Sequence, residues 1–302
     1  MRRLQLPKGE VEIRVLTTPE EMEDVTRLQD LAWQGREAVV PASFMVALAH
    51  EGGLVMGAYT LQEPRELVGF VMGFLGFHES PSKGRILKHC SHMLGVHPDW
   101  RNQGLGYWLK RAQWQWVRHQ GLELITWTYD PLWSRNAHLN IRKLGGIVRT
   151  YYPNYYGAMT DSLNRGLPSD RFLVELWVNT PRVRDRMESH PRKPLDLAHF
   201  FSANVRILNP TQLNEAGLPV PPSEVAFPDP QEENFVLVEI PPDFFTIRDQ
   251  DIDLAWRWRL HIREIFLDLF DRGYLVTDFI HLSGPTPRSF YVVTYGESTL
   301  GA

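Results

Sequence analysis

The residues best suited to chemistry lie in one stretch, residues 93–106, with the sequence MLGVHPDWRNQGLG. A predicted strand ends here, a short loop with the pattern Arg101-x-x-Gly104-x-Gly106 follows, and a predicted helix begins directly after it. The backbone N–H groups of such a loop point towards one place, and the helix N-terminus adds a partial positive charge. Glycines at positions 104 and 106 keep these groups accessible because they carry no Cβ. The spacing therefore predicts a site for a phosphate group.

The charge distribution favours an anionic ligand at this loop. The 302 residues include 32 Lys and Arg against 36 Asp and Glu, a net charge of −4, yet residues 81–150 hold 11 basic and 3 acidic side chains. Nucleic acid is disfavoured as a partner, because the basic residues are spread over strand, helix and loop and the chain as a whole is acidic. The local positive charge indicates one bound polyphosphate.

Composition excludes several classes of protein. With 43% hydrophobic and 23% charged residues, the chain has the composition of a folded globular protein. No apolar run approaches the roughly 18 residues that span a bilayer, and no hydrophobic segment follows the N-terminal arginines. The single cysteine, Cys90, excludes an internal disulfide framework and a cysteine-cluster metal site. We therefore expect a cytoplasmic protein with no metal and no membrane association.

Hydrophobic periodicity predicts the elements that position the loop. Over about the first 180 residues the predicted order is β-α-β-β-β-α-β-α-β-β, which indicates an α/β fold of the α+β type with a mixed sheet. Residues 181–232 are rich in proline and predict a linker or extension. Residues 233–302 predict a smaller α/β unit with one long helix at 247–272.

The strand end and the loop resemble the signature of the GNAT superfamily of acyl-CoA-dependent N-acyltransferases. In this chain the two parts of that signature are Leu94-Gly95-Val96-His97-Pro98 and Arg101-x-x-Gly104-x-Gly106. The resemblance implies a GNAT domain at residues 1–180, followed by the Pro-rich extension at 181–232 and an accessory domain at 233–302 that resembles half a GNAT unit. A dinucleotide site fits less well, because it needs Gly-x-Gly-x-x-Gly and an acidic residue about 20 positions later.

The resemblance also implies acetyl-CoA or another acyl-CoA as cosubstrate. Its pyrophosphate is expected on the loop amides and its pantetheine arm along the strand, in a splay between this strand and the one at residues 123–129. The residues expected to bind it are Leu94, Gly95, Val96, Arg101, Asn102, Gln103, Gly104, Leu105 and Gly106. The following helix carries three basic residues, which are expected either to contact the adenosine 3′-phosphate of CoA or to form an ordinary solvated face: Lys110, Arg111 and Arg118.

A second family signature, on the next helix, is altered. When Asn-x-x-Ala-x-x-x-Tyr-x-x-x-Gly-Phe is aligned on Ala137 and Gly145, Ser134 stands at its Asn and Ile141 at its Tyr. The tyrosine that usually acts as general acid is therefore absent from its place. Asn136 or Ser134 remains as a contact for the pantetheine arm, and we take Asn136 as the candidate.

Acyl transfer to an amine needs a base for the amine and an acid for the departing thiolate. His92 is the candidate base, since an unperturbed imidazole has a pKa of about 6.5; an ordinary sheet histidine is the alternative. Strand alternation places Cys90, His92 and Leu94 on one face. Tyr152 and Tyr156, in the sequence RTYYPNYYG, are the candidate acids, with aromatic packing as the alternative.

The polar loop at residues 161–170 lies between the last two predicted strands of the domain, where the family places the mouth of the acceptor site. Asp161, Asn164, Arg165 and Asp170 are expected to bind the acceptor, with the guanidinium on a carboxylate and an aspartate on an ammonium group. A solvated loop with Asx turns is the alternative.

These features together predict an N-acyltransferase. We expect it to move acetyl, or a larger acyl group such as succinyl, from CoA to the primary amine of a small molecule such as an amino acid, by direct attack in a ternary complex. A non-catalytic acyl-CoA-binding regulatory protein is the alternative, because Ile141 stands where the family has tyrosine. The C-terminal region is expected to pack on the first domain, shape the acceptor pocket or form a homodimer surface.

Overall fold

The computed structural model describes residues 2–33, 39–80, 83–157, 166–188, 197–202 and 204–296. These residues form two compact units. Unit 1 holds the described residues up to 127 together with 177–179, and unit 2 holds the other described residues from 128 onwards. The expected domain boundaries at residues 180 and 232 stay a prediction, and the two units divide the chain elsewhere.

Unit 1 contains a mixed sheet with the strand order β1-β2-β3-β4-β5-β6. Neighbouring strands are antiparallel except β5 and β6, which are parallel. Its elements in chain order are β1 (Arg2–Leu6), β2 (Gly9–Val15), α1 (Pro19–Trp33), α2 (Ala42–His50), β3 (Leu54–Thr60), β4 (Leu67–Ser80), β5 (Gly84–Val96), a 3₁₀ turn (Pro98–Trp100), α3 (Leu105–His119) and β6 (Leu124–Tyr129), whose last two residues belong to unit 2. The periodicity did not predict β1 or the nine-residue α2, whose sequence ASFMVALAH is too uniformly apolar to show a helical period.

Helices cover both faces of this sheet. On one face, α1 and α2 pack through a core that includes Met22, Val25 and Met45, and on the other α3 packs through Leu105 and Leu109. Burial on both faces explains why β3 is apolar along its whole length instead of alternating. The sheet therefore holds the end of β5 and the start of α3 in a rigid, two-sided core.

Unit 2 contains a second mixed sheet, with the order β8-β7-β13-β14-β12-β9, and a separate pair, β10-β11. Its elements in chain order are α4 (Ser134–Ala137), a π-helical turn (His138–Lys143), β7 (Ile147–Tyr152), β8 (Arg171–Trp177), α5 (Pro181–Met187), α6 (Leu197–Ser202), β9 (Arg206–Ile207), β10 (Gln212–Leu213), β11 (Pro219–Val220), β12 (Phe235–Ile240), α7 (Phe244–Gln250), α8 (Ile252–Asp271), β13 (Tyr274–Leu282) and β14 (Arg288–Tyr295). The α/β fold class is confirmed, and the likeness of residues 233–302 to half a GNAT unit stays a prediction.

The prediction of a single helix at residues 247–272 is wrong, because two helices occupy the segment. Asp251 separates them with an extended backbone (φ −148°), and its carboxylate accepts a hydrogen bond from the amide of Leu254 at 2.9 Å. This is an N-cap, which starts α8 anew. The first of the two helices, α7, begins earlier than predicted because Asp243 caps it in the same way, through the amides of Phe245 and Thr246.

Buried ion pairs hold unit 2 together. Asp130 and Arg259 are almost fully buried and form a bidentate salt bridge, with N–O distances of 2.8 and 2.5 Å. Asp170, also buried, accepts hydrogen bonds from Arg263 (2.8 and 2.9 Å) and from the hydroxyl of Tyr151 (2.6 Å). Burial alone would raise the pKa of Asp170, but these hydrogen bonds outweigh it and hold the pKa below its usual range.

Candidate active site

The loop between β5 and α3 has the backbone conformation that an anion site requires. Asn102 (φ 64°) and Gly104 (φ 82°) both lie in the left-handed region, which glycine enters freely and asparagine more readily than most residues. Gly104 is the N-cap residue of α3. No described atom lies within 4 Å of the position that a Cβ on Gly104 would occupy. The space beside Gly104 is therefore open to a ligand.

The first turn of α3 supplies the hydrogen-bond donors. An α-helix leaves its first amides without an acceptor inside the helix, and in α3 the amide of Trp108 bonds to the carbonyl of Gly104 at 3.2 Å. The Leu105 side chain is buried in the same core as Leu109, which fixes the orientation of the turn. The helix dipole places partial positive charge at this end. The loop and the helix N-terminus together suit one phosphate-like anion.

Hydrogen bonds tie the loop to other parts of unit 1. Gln103 accepts from the amide of Lys8 (2.9 Å) and donates to the carbonyl of Asp99 (3.3 Å). Arg101 donates from Nη2 to the carbonyl of Ala32 at 2.7 Å. Since that partner is neutral, and Arg101 forms no ion pair with any described residue, its positive charge remains available beside the loop.

A β-bulge interrupts β5 shortly before the loop. Met72 of β4 is paired with Met93, whereas its neighbour Gly73 is paired with Ser91, so His92 is the additional residue. A bulge locally disrupts the ladder and shifts the alternation of side chains by one residue. The alternation of residues in β5 alone does not indicate this insertion.

Because of the bulge, the side chains of β5 that share a face of the sheet are not the ones predicted. Ser91, before the bulge, accepts a hydrogen bond from Lys110 of α3 at 2.7 Å, and Leu94, after it, packs against the core under α3. Residues 91 and 94 therefore share a face, which regular alternation forbids. The prediction that Cys90, His92 and Leu94 share one face is wrong. His92 itself is exposed, with its ring 5.8 Å from that of Phe74.

The strands β5 and β6 pair over a short distance. Within the described residues their parallel pairing is confined to His89 with Ile125 and Cys90 with Thr126. The three predicted pantetheine contacts pair with β4 on the opposite edge of β5: Leu94, Gly95 and Val96. On the β6 side, the edge of β5 between the pairing and the loop has no strand partner among the described residues.

Lys110 is buried against the sheet. Its ammonium donates to Ser91 Oγ (2.7 Å) and Gln113 Oε1 (3.4 Å) and lies 3.9 Å from the centre of the Trp127 ring. Burial lowers the pKa of Lys110 to about 7. Arg118 is exposed, but two of the three residues expected on a solvated helix face are buried: Lys110 and Arg111.

Three further candidates lie in unit 2, each described within that unit. Asn136 is half-buried on α4. Tyr152 is half-buried on β7 and stacks on Tyr155, with ring centres 5.0 Å apart. Tyr156 is exposed, and its hydroxyl lies 3.0 Å from Thr128 Oγ1. The phosphate-site residues and His92, by contrast, come together in unit 1 as one strand, loop and helix.

The altered helix signature is part of the core of unit 2. Ile141, at the position of the family tyrosine, is fully buried in the π-helical turn. Ser134 is also buried, and its hydroxyl is hydrogen-bonded to that of Ser289 at 2.7 Å. Three of the four predicted acceptor residues lie outside the described residues: Asp161, Asn164 and Arg165. The fourth, Asp170, is fully buried and bonded to Arg263 and Tyr151.

In the described part of the chain, no set of three or more His, Cys, Asp or Glu side chains is arranged to hold a metal ion. Among the described helices, none has the length and apolar character to cross a membrane.

Several solved structures are similar to part of the chain. One is NAA60 of Arabidopsis thaliana in complex with a bisubstrate analogue, with 16% identity, a TM-score of 0.46, and coverage of 56% of this chain and 99% of that one. Another is the ribosomal-protein-S18-alanine N-acetyltransferase of Escherichia coli, with 15% identity, a TM-score of 0.43, and coverage of 61% and 99%. No curated protein matches the sequence significantly.

The family model described as Acetyltransferase (GNAT) family matches residues 17–145. The matched segment begins just before α1 and contains β5, the phosphate-site loop and α3. The resemblance inferred from Arg101-x-x-Gly104-x-Gly106 is thereby confirmed, and residues 17–145 are a GNAT-family acetyltransferase domain.

Proposed function

We propose that the chain is an acyl-CoA-dependent N-acyltransferase that moves an acetyl or larger acyl group from CoA to the primary amine of a small molecule, such as an amino acid. The observation that carries the proposal is the open, left-handed Gly104 at the N-terminus of α3 in a GNAT domain. Family members take their acyl group from acyl-CoA, whose pyrophosphate is an anion of the kind that this loop suits.

The geometry of the loop supports the cosubstrate contacts that we propose. The pyrophosphate is placed on the amides of Asn102, Gln103, Gly104, Leu105 and Gly106, with the charge of Arg101 beside it. The pantetheine amides pair with the edge of β5 that has no strand partner, at Leu94, Gly95 and Val96, as an added strand would. Asn136 is proposed as a further contact on the family signature alone.

The proposed reaction is a direct transfer. The amine nitrogen attacks the thioester carbonyl carbon, the C–S bond of the tetrahedral intermediate breaks, an amide forms, and the CoA thiolate takes up a proton. We assign the base for the amine to His92, which is exposed on the bulge, and the acid for the thiolate to Tyr152 or Tyr156. Asp161, Asn164 and Arg165 are proposed to bind the acceptor.

The test of this function is a thiol-release assay that crosses acetyl-, propionyl- and succinyl-CoA with free amino acids and polyamines. We expect at least one pair to release CoA in proportion to an N-acylated product identified by mass spectrometry. Calorimetric binding of CoA without amine-dependent release for any pair would contradict the catalytic proposal. That result would support the alternative, a non-catalytic acyl-CoA-binding protein, which the fully buried Ile141 in place of the family tyrosine favours.

The base is tested by His92→Gln, which keeps a polar side chain of similar size but accepts no proton near neutral pH. We expect kcat to fall by about 100-fold or more, the usual contribution of a general base, while the KM for acyl-CoA changes little. His119→Gln, which alters an exposed histidine at the end of α3, is the matched control and is expected to keep full activity. Equal kcat values for the two variants would exclude His92 as the base.

A further inference from the structure

The buried ammonium of Lys110 has no anionic partner among the described residues. Lys110 is 6% exposed, and its contacts are a hydroxyl, an amide oxygen and an aromatic ring: Ser91, Gln113 and Trp127. A buried charge costs several kcal/mol unless it is paired, so proteins normally place a carboxylate beside it. The lack of such a carboxylate is why burial lowers the pKa of Lys110 to about 7, and an anion bound beside the amine would favour its charged form.

Two further buried donors accompany the ammonium. Because Gln113 Oε1 accepts from Lys110, the amide nitrogen of Gln113 donates to His89 Nε2, at 3.0 Å. Burial, with a smaller contribution from the charge of Lys110, lowers the pKa of His89 to about 3, so the ring is neutral and carries its proton on Nδ1. His89 Nδ1 and Trp127 Nε1 are both buried, and neither has an acceptor in the described part of the chain.

Two of the residues that contact Lys110 lie where β5 and β6 part. Within the described residues, the parallel pairing of the two strands ends at Cys90 and Thr126. The next residues along the strands are Ser91 and Trp127, and both of them contact Lys110. Ser91 lies about 16 Å along the strand from the end of β5 at Val96, since a strand rises about 3.3 Å per residue. An extended ligand arm about 16 Å long that starts at the loop would therefore end beside Lys110.

We propose that Lys110, with the N–H groups of His89 and Trp127, binds a carboxylate at the end of the acyl chain, so that the preferred acyl donors are CoA thioesters of short dicarboxylic acids, such as succinyl-CoA. This inference rests on the proposed function, which places the pantetheine arm between the loop and the point where the strands part. A carboxylate matches a site made only of donors, because it accepts several hydrogen bonds and neutralises the ammonium. The methyl end of a neutral acyl chain does neither.

The test compares the binding of CoA, butyryl-CoA and succinyl-CoA by calorimetry, which needs no acceptor amine. Butyryl and succinyl share a four-carbon chain and differ in the terminal carboxylate. We expect succinyl-CoA to bind at least about 10-fold more tightly than butyryl-CoA, as one charge-assisted hydrogen bond supplies. In Lys110→Met we expect that preference to vanish while the affinity for CoA is unchanged.

Two variants complete the experiment. Arg118→Met, on the exposed side of the same helix, is the matched control and is expected to keep the preference. Trp127→Phe removes one N–H donor but keeps an aromatic ring, and it should weaken the binding of succinyl-CoA without changing that of butyryl-CoA or CoA. This variant replaces Lys110→Met in the test if Lys110→Met does not fold. Equal affinities for succinyl- and butyryl-CoA in the unmodified protein, or a preference that survives Lys110→Met, would overturn the inference. Failure of CoA itself to bind would instead refute the proposed function.

Discussion

Replacing Gly104 with Asp is expected to weaken CoA binding by about 100-fold or more. Two unit charges about 5 Å apart at an effective dielectric constant near 20 repel by about 3 kcal/mol, and each 1.4 kcal/mol is tenfold in affinity. The added carboxylate enters space in which no described atom lies within 4 Å of the new Cβ, so the repulsion acts on the ligand and not on a displaced side chain. Calorimetric titration with CoA measures the effect directly.

The matched control is Gly104→Asn, since Asn has the size of Asp without the charge. Both residues meet the same backbone demand, a φ of 82°, which Asn and Asp tolerate better than other side chains. We expect the Asn variant to lose some affinity, because its side chain also enters the space left for the ligand, but to bind CoA at least about 10-fold more tightly than the Asp variant. Both variants should give the circular dichroism spectrum of the unmodified protein. Equal losses in the two variants would show that no negative charge of the ligand lies beside Gly104.

The sequence predicted the phosphate site because its signal is local. A strand end, two glycines and a helix start within a few residues, and the backbone angle that Gly104 needs follows from the turn itself. The same holds for α1, which begins at a capping box: Thr18 Oγ1 accepts from the amide of Glu21 at 3.3 Å, and the Glu21 carboxylate accepts from the amides of Thr17 and Thr18. Interactions within one turn are visible in a sequence.

Structural features that depend on contacts between residues far apart in the chain were not predicted from the sequence. The bulge at His92 is a mismatch between two strands, so the alternation of β5 alone does not reveal it. The burial of Lys110 likewise depends on Ser91 and Trp127, which lie on two different strands. A weak signal existed: Lys110 and Gln113 each follow a residue of the apolar stripe on α3, Leu109 and Ala112, and so flank its buried face.

The helix boundaries were predicted wrongly for a different reason. Apolar residues continue at helical spacing through residues 247–272, and that pattern outweighed the capping signal of Asp251. In the altered signature helix, the π-helical turn at His138–Lys143 adds a residue to the usual turn. Such a turn changes which side chains share a face beyond Ala137, and the linear spacing of the family pattern does not predict that change.

The ion pair of Asp130 and Arg259 is expected to dominate the stability of unit 2. In Arg259→Met, the buried carboxylate of Asp130 loses both of its short contacts, at 2.8 and 2.5 Å, and keeps the more distant guanidinium of Arg171, at 3.9 Å. Breaking a buried pair by removing one partner costs about 3–5 kcal/mol, because the remaining charge stays out of water. Urea denaturation should show this loss as a lower midpoint. Arg257→Met, on the exposed side of α8, is the matched control and should change the midpoint little.

The double variant Asp130→Asn/Arg259→Met separates the cost of an orphaned charge from the value of the pair itself. Asn keeps the oxygen that accepts from the amide of Leu132 at 2.9 Å, so that local turn survives. Replacing both members of a buried pair is often nearly neutral, because neither charge then needs desolvation. We therefore expect the double variant to recover at least half of the stability lost in Arg259→Met. A double variant as unstable as the single one would show that the packing of the Arg259 side chain, and not its charge, stabilises unit 2.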